Sequence, residues 1–261
     1  MHFSVVSSLL LSTILSSVHV IAAPAQQEKR DAWNKALGWP EPEYNYYKAV
    51  GDTVEKAARA NQLVNQPACN MQLAQMPQAP TPLPPPSAGL VLSHIAVGRG
   101  TQNYTCPKDA DASVAPTAVG AVASLFNVSC IAGNYPQLLS LLPSVAVRYP
   151  VPTANSQLAP ANVMLSGHHY FQDATTPFFN MITSDSNYGM VAAAKLNATN
   201  APDAAKDVTW LKLNAKAGNW SFVEVYRVNT SGGQPPKTCE GQPENIEVQY
   251  AAEYWLWAPP K

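Results

Sequence analysis

The chain has 261 residues, of which 46% are hydrophobic and 13% are charged, and its formal net charge is −1. This composition favours a globular core and excludes a largely disordered chain. Nucleic acids and anionic membranes both bind clustered Lys and Arg side chains, so the near-neutral charge excludes them as expected partners.

Residues 1–22 contain an uncharged, Ser-rich apolar run followed by small residues, which predicts a secretory signal peptide. Residues 23–30 end in the dibasic pair Lys29 and Arg30, which predicts a propeptide cleaved by a fungal-type Golgi protease. The alternative is an ordinary exposed pair of basic residues. The C-terminal sequence has no apolar tail typical of a lipid anchor. We therefore expect a secreted, extracellular protein whose mature chain begins at Asp31.

Residues 31–66 are expected to form a helical N-terminal extension. Asp52, with Glu55 three residues later, matches a capping box and predicts that a helix begins at Asp52. The apolar stripe of this helix would consist of Val54, Ala57, Ala58 and Leu63. Because the stripe is narrow, we expect the helix to pack on the outside of the main domain.

Residues 67–88 contain seven prolines, which disfavour both helix and sheet pairing. This composition predicts a stiff, extended spacer or a strap along the domain surface. Recognition by a proline-binding partner is the alternative.

Residues 89–261 show about eight short segments of β type, separated by Gly, Pro, Asn and Ser. They predict an all-β domain, either a sandwich or a barrel. One inserted helix is expected around "NYPQLLSLL", with Asn134 or Tyr135 near its cap and Pro136 in its first turn. No repeat of fixed period is present, which argues against a propeller or a solenoid.

Four cysteines lie beyond the predicted signal peptide, and an even number in a secreted chain predicts two disulfide bonds. Spacing alone leaves three pairings open, and no CxxC motif indicates a zinc or thioredoxin-like site. Glycosylation is predicted at five N-x-S/T sites, since this motif is the N-glycan acceptor of secreted proteins. The sites are Asn103, Asn127, Asn197, Asn219 and Asn229.

Five segments occur in a fixed order: "GRGTQNYTC" at 98–106, "GHHYF" at 167–171, "VTWLKL" at 208–213, "YRVNTSGGQPPKTC" at 226–239 and "VQYAAEYWLW" at 248–257. Together they resemble a secreted, functionally uncharacterised family of bacteria and filamentous fungi, with the pattern GVQIY, GxHY, WLLL and QRVxTxGGxxP. The resemblance covers about residues 89–257. The matching positions are Gln102, Tyr104, Gly167, His169, Tyr170, Trp210, Leu211, Arg227, Thr230, Gly232, Gly233 and Pro236.

The resemblance also favours one disulfide pairing. Cys106 and Cys239 both lie in family-like motifs, which implies a Cys106–Cys239 bond and leaves Cys69 to pair with Cys130. The glycines and prolines of "SGGQPP" predict a tight corner after a strand.

Some fungal members of this family carry the label malate dehydrogenase. The segment "GRGTQN" does offer Gly98 and Gly100 after a strand, but Asn103 occupies the third glycine position of a dinucleotide motif. Cys106 and Pro107 stand where the motif needs the start of a helix. We therefore expect no nicotinamide cofactor, and no other cofactor is predicted.

Catalytic motifs are weak in this sequence. His94 and His169 could share a metal ion with a carboxylate such as Asp173 or Glu253, although hydrogen-bonded core histidines are the alternative. No GxSxG motif marks a serine nucleophile, and no motif pairs two carboxylates for glycoside cleavage.

Ligand-binding candidates come from the aromatic and motif residues. Trp255 and Trp257 share one face of a strand and could stack on sugar rings or fill the core. Arg227 is interpreted as a rim charge or as a semi-buried guanidinium bonded to a carboxylate such as Glu253. Its place in the family pattern also suggests a ligand pocket formed with His169 and Tyr170.

The leading hypothesis is a non-catalytic extracellular binding module from a fungus, which contacts a glycan, a small ligand or a host surface protein and is effector-like. The alternatives are an extracellular enzyme, either metal-dependent or carbohydrate-active, and a structural wall protein.

Overall fold

The computed structural model of the protein describes residues 38, 40–59, 68–152 and 157–260. The predicted signal peptide, propeptide and dibasic site, together with Leu63, lie outside the described residues. The chain divides into two units between Tyr44 and Asn45, and the barrel belongs to the second unit.

Eight antiparallel strands form a closed barrel in which each strand pairs with its neighbours in sequence and the last pairs with the first. The all-β expectation is confirmed, as a barrel rather than a sandwich. The strands are β1 (Val91–Thr105), β2 (Thr117–Asn127), β3 (Leu165–Phe171), β4 (Pro177–Ile182), β5 (Asn187–Thr199), β6 (Trp210–Ala215), β7 (Glu224–Gly232) and β8 (Asn245–Ala258).

The barrel closes through β1 and β8, whose register runs from Val91 opposite Ala258 to Thr105 opposite Asn245. We call the end where β1 begins and β8 ends the first end. The opposite end, where β1 ends and β8 begins, is the second end.

The N-terminal helix α1 (Glu41–Arg59) begins eleven residues earlier than the capping box predicts. Its start has Glu41 and Glu43 in the first turn, where acidic side chains interact favourably with the helix dipole. Asp52 instead lies inside the helix, where its carboxylate forms an ion pair with Lys48 Nζ at 2.9 Å. The capping-box prediction is therefore wrong. The apolar stripe also differs, because Tyr46 is buried whereas Val54 is exposed.

The insert between β2 and β3 contains two helices, α2 (Ser129–Asn134) and α3 (Pro136–Ala146). The predicted helix is α3, with Tyr135 as its cap and Pro136 at its first position. A proline fits there because its missing N–H would have no partner in the first turn. The shorter α2 was not expected.

Arg99 holds the end of α3 against the barrel wall. Its side chain is fully buried on the outer face of β1, and Nε donates to the Ala146 carbonyl at 3.1 Å. Nη2 donates to the carbonyls of Val147 at 3.1 Å and Tyr149 at 2.8 Å, and also to the side chain of Gln249. The guanidinium thus satisfies carbonyls at the negative end of the helix dipole.

The proline-rich segment lies along the outer face of the barrel. The carbonyl of Pro84 accepts from the Tyr226 hydroxyl at 2.9 Å, and that of Pro85 accepts from Lys212 Nζ at 2.8 Å. Ser87 donates through its backbone and its hydroxyl to Glu224. Glu224 in turn forms a buried ion pair with Lys212 at 3.1 Å.

Two hydrophobic cores result, because side chains of a strand point alternately to the two faces of the barrel wall. The interior core includes Phe179, Val191, Leu213, Val225 and Leu256. The outer core lies beneath the helices and the proline-rich segment, whose described residues 68–88 we call the strap. It includes Val97, Phe126, Leu142, Tyr226 and Trp255.

The described chain contains two disulfide bonds, and their pairing is the one that the family resemblance favours. Cys69 bonds to Cys130 at the start of α2, and Cys106 bonds to Cys239 near the second end. Among the described residues, no helix has both the length and the apolar composition needed to span a membrane.

Candidate functional site

Five polar side chains from four strands meet inside the barrel, and we call them the interior polar cluster. They are Gln102 on β1, His169 on β3, Arg227 on β7, and Tyr250 and Tyr254 on β8. Each is at most 9% exposed. Gln102, His169 and Arg227 occupy positions of the family pattern, so motifs far apart in sequence converge in one place.

Arg227 is the charged member of the cluster and is 8% exposed. Nη1 donates to Gln102 Oε1 at 3.2 Å, and Nη2 donates to the Thr209 carbonyl at 2.8 Å. Its Nε is buried without a hydrogen-bond partner. No carboxylate in the described part of the chain lies within ion-pair distance of Arg227.

The expected pair between Arg227 and Glu253 is therefore wrong. Glu253 lies opposite Val228 in the β7–β8 register, whereas Arg227 lies opposite Tyr254. Neighbouring positions of a strand point to opposite faces. Glu253 consequently lies in the outer layer, where it accepts hydrogen bonds from Asn229 at 2.7 Å and Trp255 at 2.9 Å.

His169 is held rigidly in the neutral form. Nδ1 donates to the Phe178 carbonyl at 2.9 Å, and the ring stacks on Phe179 with centroids 4.4 Å apart. Burial lowers the pKa of His169 to about 4, the hydrogen bond to Phe178 opposes this shift, and the nearby Arg227 charge adds to it. Because Nδ1 carries the proton, Nε2 is a hydrogen-bond acceptor at neutral pH.

Tyr250 and Tyr254 complete the cluster, with their hydroxyl oxygens 2.7 Å apart. Burial raises the pKa of both hydroxyls, and the Arg227 charge lowers it in part. Both tyrosines therefore remain neutral near pH 7. Room for the Tyr254 ring comes from Gly98, where a Cβ atom would lie 2.5 Å from a ring carbon.

The glycine-rich corner after β7 supports the cluster from the second end. Gly232 and Gly233 have φ angles of 76° and 90°, which favour glycine. The Gly233 carbonyl accepts from the Tyr104 hydroxyl at 2.7 Å, and Thr230 donates to the Val208 carbonyl at 2.6 Å. The predicted corner is thus present, and it connects two motifs of the family pattern.

The other predicted ligand-binding residues lie outside the cluster. Tyr170 follows His169 on β3, so it points to the outer face, where it is 36% exposed. Trp255 is buried in the outer core, and Trp257 is partly buried against the same core. The structure therefore brings His169 together with Arg227 but separates both from Tyr170 and the tryptophans.

The two histidines proposed as metal ligands have separate partners. His94 Nε2 lies 3.1 Å from the Ser166 hydroxyl, and its ring packs on Tyr188 at 4.3 Å. Burial lowers the pKa of His94 to about 4. Across the described ranges, no three His, Cys, Asp or Glu side chains form a group that could hold a metal ion.

Tyr250 and Tyr254 were not predicted from the sequence as site residues, and Gln102 was predicted only as a motif position. The available signal was the spacing of the tyrosines, because residues four apart on a strand share a face. The small Ala252 lies between them on that face. The more conspicuous aromatic pair on the same strand, Trp255 and Trp257, lies in the outer layer.

The predicted glycosylation sites differ in accessibility. The Asn219 side chain is exposed, in the turn before Trp220. The Asn229 amide donates to the Ser140 carbonyl at 2.9 Å and to Glu253 at 2.7 Å, so a glycan there would displace both bonds. Asn103, Asn127 and Asn197 are half-buried.

Two open clefts lie on the surface, away from the interior polar cluster. The first has a volume of about 720 Å³, lies at the first end and is lined in part by Leu92, Ser93, Tyr188 and Ser221. The second, of about 600 Å³, lies between the start of β3 and the β4–β5 turn.

The interior polar cluster combines one guanidinium, a neutral imidazole, an amide and two hydroxyls. These groups can donate and accept hydrogen bonds and can balance a negative charge. The chain is thus an eight-stranded antiparallel barrel with an interior polar site near its second end.

The chain belongs to the DUF3455 family, described as "protein of unknown function", which matches residues 86–258. The match includes all eight strands and the whole interior polar cluster. No curated protein and no solved structure matches the chain significantly.

Proposed function

We propose that the protein is a secreted, non-catalytic binding module that takes a small ligand in the second end of its barrel. The observation that carries this proposal is the convergence of Gln102, His169 and Arg227 on one buried cluster with an unpartnered donor. Eight-stranded barrels enclose an interior that either fills with side chains or holds one small ligand. Buried polar groups are normally fully hydrogen-bonded, so an orphan donor marks a place for a partner.

The second end is the expected entry. Gln102 and Arg227 retain 9% and 8% exposure, whereas Tyr250 and Tyr254 are fully buried. Phe171 and Leu211, which lie near the second-end limits of β3 and β6, are partly exposed and pack against the interior core. A ligand entering there would pass between apolar side chains before reaching Arg227. A small ligand fits this entry better than a glycan chain or a host surface protein.

Secretion is the second part of the proposal. Two disulfide bonds support it, because such bonds persist in oxidising compartments. The apolar N-terminus, the Lys29–Arg30 pair and five glycosylation motifs support it from the sequence. An effector-like role outside a fungal cell is the biological context that this proposal favours.

Secretion is tested by expressing the full chain in a yeast and determining the N-terminus of the protein in the medium. We expect Asp31 in the parent and a longer chain in a K29A/R30A variant. Retention of the parent chain inside the cell would contradict the proposal.

Ligand binding is tested by thermal-shift measurements of the full chain against a panel of small polar molecules and soluble glycans, together with hydrolase and metal-content assays. His169→Phe removes the imidazole but keeps a ring to stack on Phe179, and Tyr170→Phe is the matched control on the opposite face. We expect the thermal shift of a bound small molecule to decrease in H169F and to persist in Y170F. Turnover of a substrate, or one bound metal ion per chain lost in H169F, would instead establish an enzyme.

A further inference from the structure

Arg227 presents an unbalanced charge inside the barrel. The titratable groups around it are Tyr104, His169, Tyr250 and Tyr254, and all four are neutral near pH 7 because burial disfavours their charged forms. The groups that accept from it, Gln102 and the Thr209 carbonyl, and the Tyr254 hydroxyl with which it interacts are also neutral. Proteins rarely bury an ionised side chain without a partner of opposite charge.

Lys212 shows how the same barrel treats another buried cation. Lys212 lies on the outer face of β6, the same face as Trp210 two residues before it. Its Nζ forms an ion pair with the Glu224 carboxylate at 3.1 Å. It also donates to the Pro85 carbonyl. Lys212 thus has a carboxylate partner, and the buried Arg99 donates to several carbonyls and to Gln249 instead. Arg227 has neither a carboxylate nor a full set of acceptors.

The hydrogen-bonding pattern of Arg227 points to the kind of group that would pair with it. A guanidinium binds a carboxylate through two parallel N–H donors. Nε is one donor without a partner in the described chain, and the neighbouring Nη2 carries two hydrogens, of which one is given to Thr209. These two donors form one edge of the guanidinium fork.

The surroundings select a singly charged ligand with an apolar body. One guanidinium balances one negative charge, so a dianion such as phosphate would leave a charge uncompensated in the barrel. Phe171 and Leu211 pack against the interior core near the second-end limits of β3 and β6, and the ring of Phe179 is buried in that core. Such side chains favour an aliphatic or aromatic group.

We propose that the barrel binds a small apolar monocarboxylate whose carboxylate pairs with Arg227 and whose apolar body lies toward the second end. This inference rests on the proposed function, because it names the ligand class of the same site. The carboxylate accepts from the Nε edge of Arg227 and supplies the counter-charge that the interior lacks.

The test is calorimetric titration of the full chain at low ionic strength with hexanoate and benzoate, compared with the neutral amides hexanamide and benzamide. We expect both carboxylates to bind and each amide to bind at least about tenfold more weakly, since it lacks the charge. Arg227→Met should weaken carboxylate binding at least about 30-fold, because it removes one partner of a buried charge pair. Arg227→Lys keeps the charge without the fork and should give an intermediate affinity.

Lys237→Met is the matched control, because it removes the same charge from an exposed residue of the β7–β8 loop near the second end. We expect it to leave carboxylate affinity unchanged. Three outcomes would each overturn the inference: no carboxylate binding up to about 10 mM, which is weaker than the millimolar range of simple ligands; equal binding of carboxylates and amides; or unchanged carboxylate affinity in R227M. Equal binding of amides and carboxylates that is lost in H169F would remove the carboxylate inference and leave the binding function standing.

Discussion

Arg99 and Arg227 are both buried in the barrel wall, but they face opposite sides of it. Arg99 lies in the outer layer and donates to the carbonyls of Ala146, Val147 and Tyr149 and to Gln249. Arg227 lies in the interior, donates to Gln102 and the Thr209 carbonyl, interacts with the Tyr254 hydroxyl and has an unpartnered Nε. Both residues belong to segments of the family pattern, so motif position alone does not distinguish their roles.

The difference between the two arginines indicates that the outer layer and the interior of the barrel have different roles. In the outer layer, buried charges have enough partners to hold the helices and the strap, which is a structural task. In the interior, the charge is less completely satisfied, which is typical of a binding site. Substitutions should therefore affect stability most in the outer layer and ligand binding most in the interior.

The largest expected effect is that of Arg99→Met. This change leaves several carbonyls at the end of α3 without donors, so we expect a loss of about 3 to 5 kcal/mol in the free energy of unfolding. Urea denaturation followed by tryptophan fluorescence measures it. The control is Arg59→Met, whose pair with Glu55 is exposed and should contribute less than about 1 kcal/mol. Equal free energies of unfolding for R99M and R59M would contradict a structural role for Arg99.

Lys212→Met should have the next largest effect. It leaves Glu224 buried without its cation beneath the proline-rich strap, which should cost about 3 kcal/mol in the free energy of unfolding. Glu224 keeps the hydrogen bonds from Ser87, which limit the loss. Lys206→Met is the matched control, because the Lys206–Asp203 pair is exposed. Hydrogen exchange measures where the effect lies. We expect the backbone amides of the proline-rich segment to lose protection in K212M.

Glu253 is a buried carboxylate of the outer layer, and among the described residues it has no cationic partner. It should therefore make the free energy of unfolding depend on pH. Burial raises its pKa to about 7, although the hydrogen bonds from Asn229 and Trp255 lower it in part. Between the unfolded pKa near 4.3 and the folded pKa, the native state therefore holds one more proton at this site. The contribution of Glu253 is most favourable below the unfolded pKa and decreases by about 2 to 3 kcal/mol as the pH rises to 7.

The measurement is the difference in the free energy of unfolding between the parent and Glu253→Gln from pH 4 to 8. A difference is needed because His94 and His169 oppose the trend: their folded pKa values of about 4 make their contribution decrease as the pH falls below 6.5. We expect E253Q to gain stability relative to the parent as the pH rises toward 7. A difference that does not change with pH would contradict the shifted pKa.

The smallest effect on stability is expected for Arg227→Met without ligand. Removing the poorly paired buried charge should stabilise the fold, and losing the bonds to Gln102 and Thr209 should destabilise it. We expect the two effects to cancel to within about 1 kcal/mol in urea denaturation. A loss as large as that of R99M would show that both arginines are structural.

The sequence predicts an all-β domain of about eight strands because alternation and turn residues are local signals. The same signals do not distinguish a sandwich from a barrel. That choice depends on the pairing of β1 with β8, whose partners Val91 and Ala258 lie at opposite ends of the domain sequence. The start of α1 was also misplaced, because Asp52 and Glu55 match a capping box inside a longer helix.

The candidate site was predicted in part. His169 and Arg227 were identified from the family pattern, and the alternation of β3 explains why Tyr170 does not join them. Assigning Glu253 as the partner of Arg227 failed because the register of β7 and β8 places the two on opposite faces. Such register is set by which strand faces are buried and by the turn that joins the strands, and the long connection between β7 and β8 fixes neither from local sequence.

The closure of the barrel by its last strand has a consequence for how the protein is made. On the ribosome, β1 emerges long before Asn245–Ala258, so one of its edges stays unpaired until β8 has been synthesised. Pairing of such distant segments is intrinsically slow. We therefore expect a nascent chain that stops before β8 to be recognised by chaperones, and we expect barrel closure to follow the synthesis of β8.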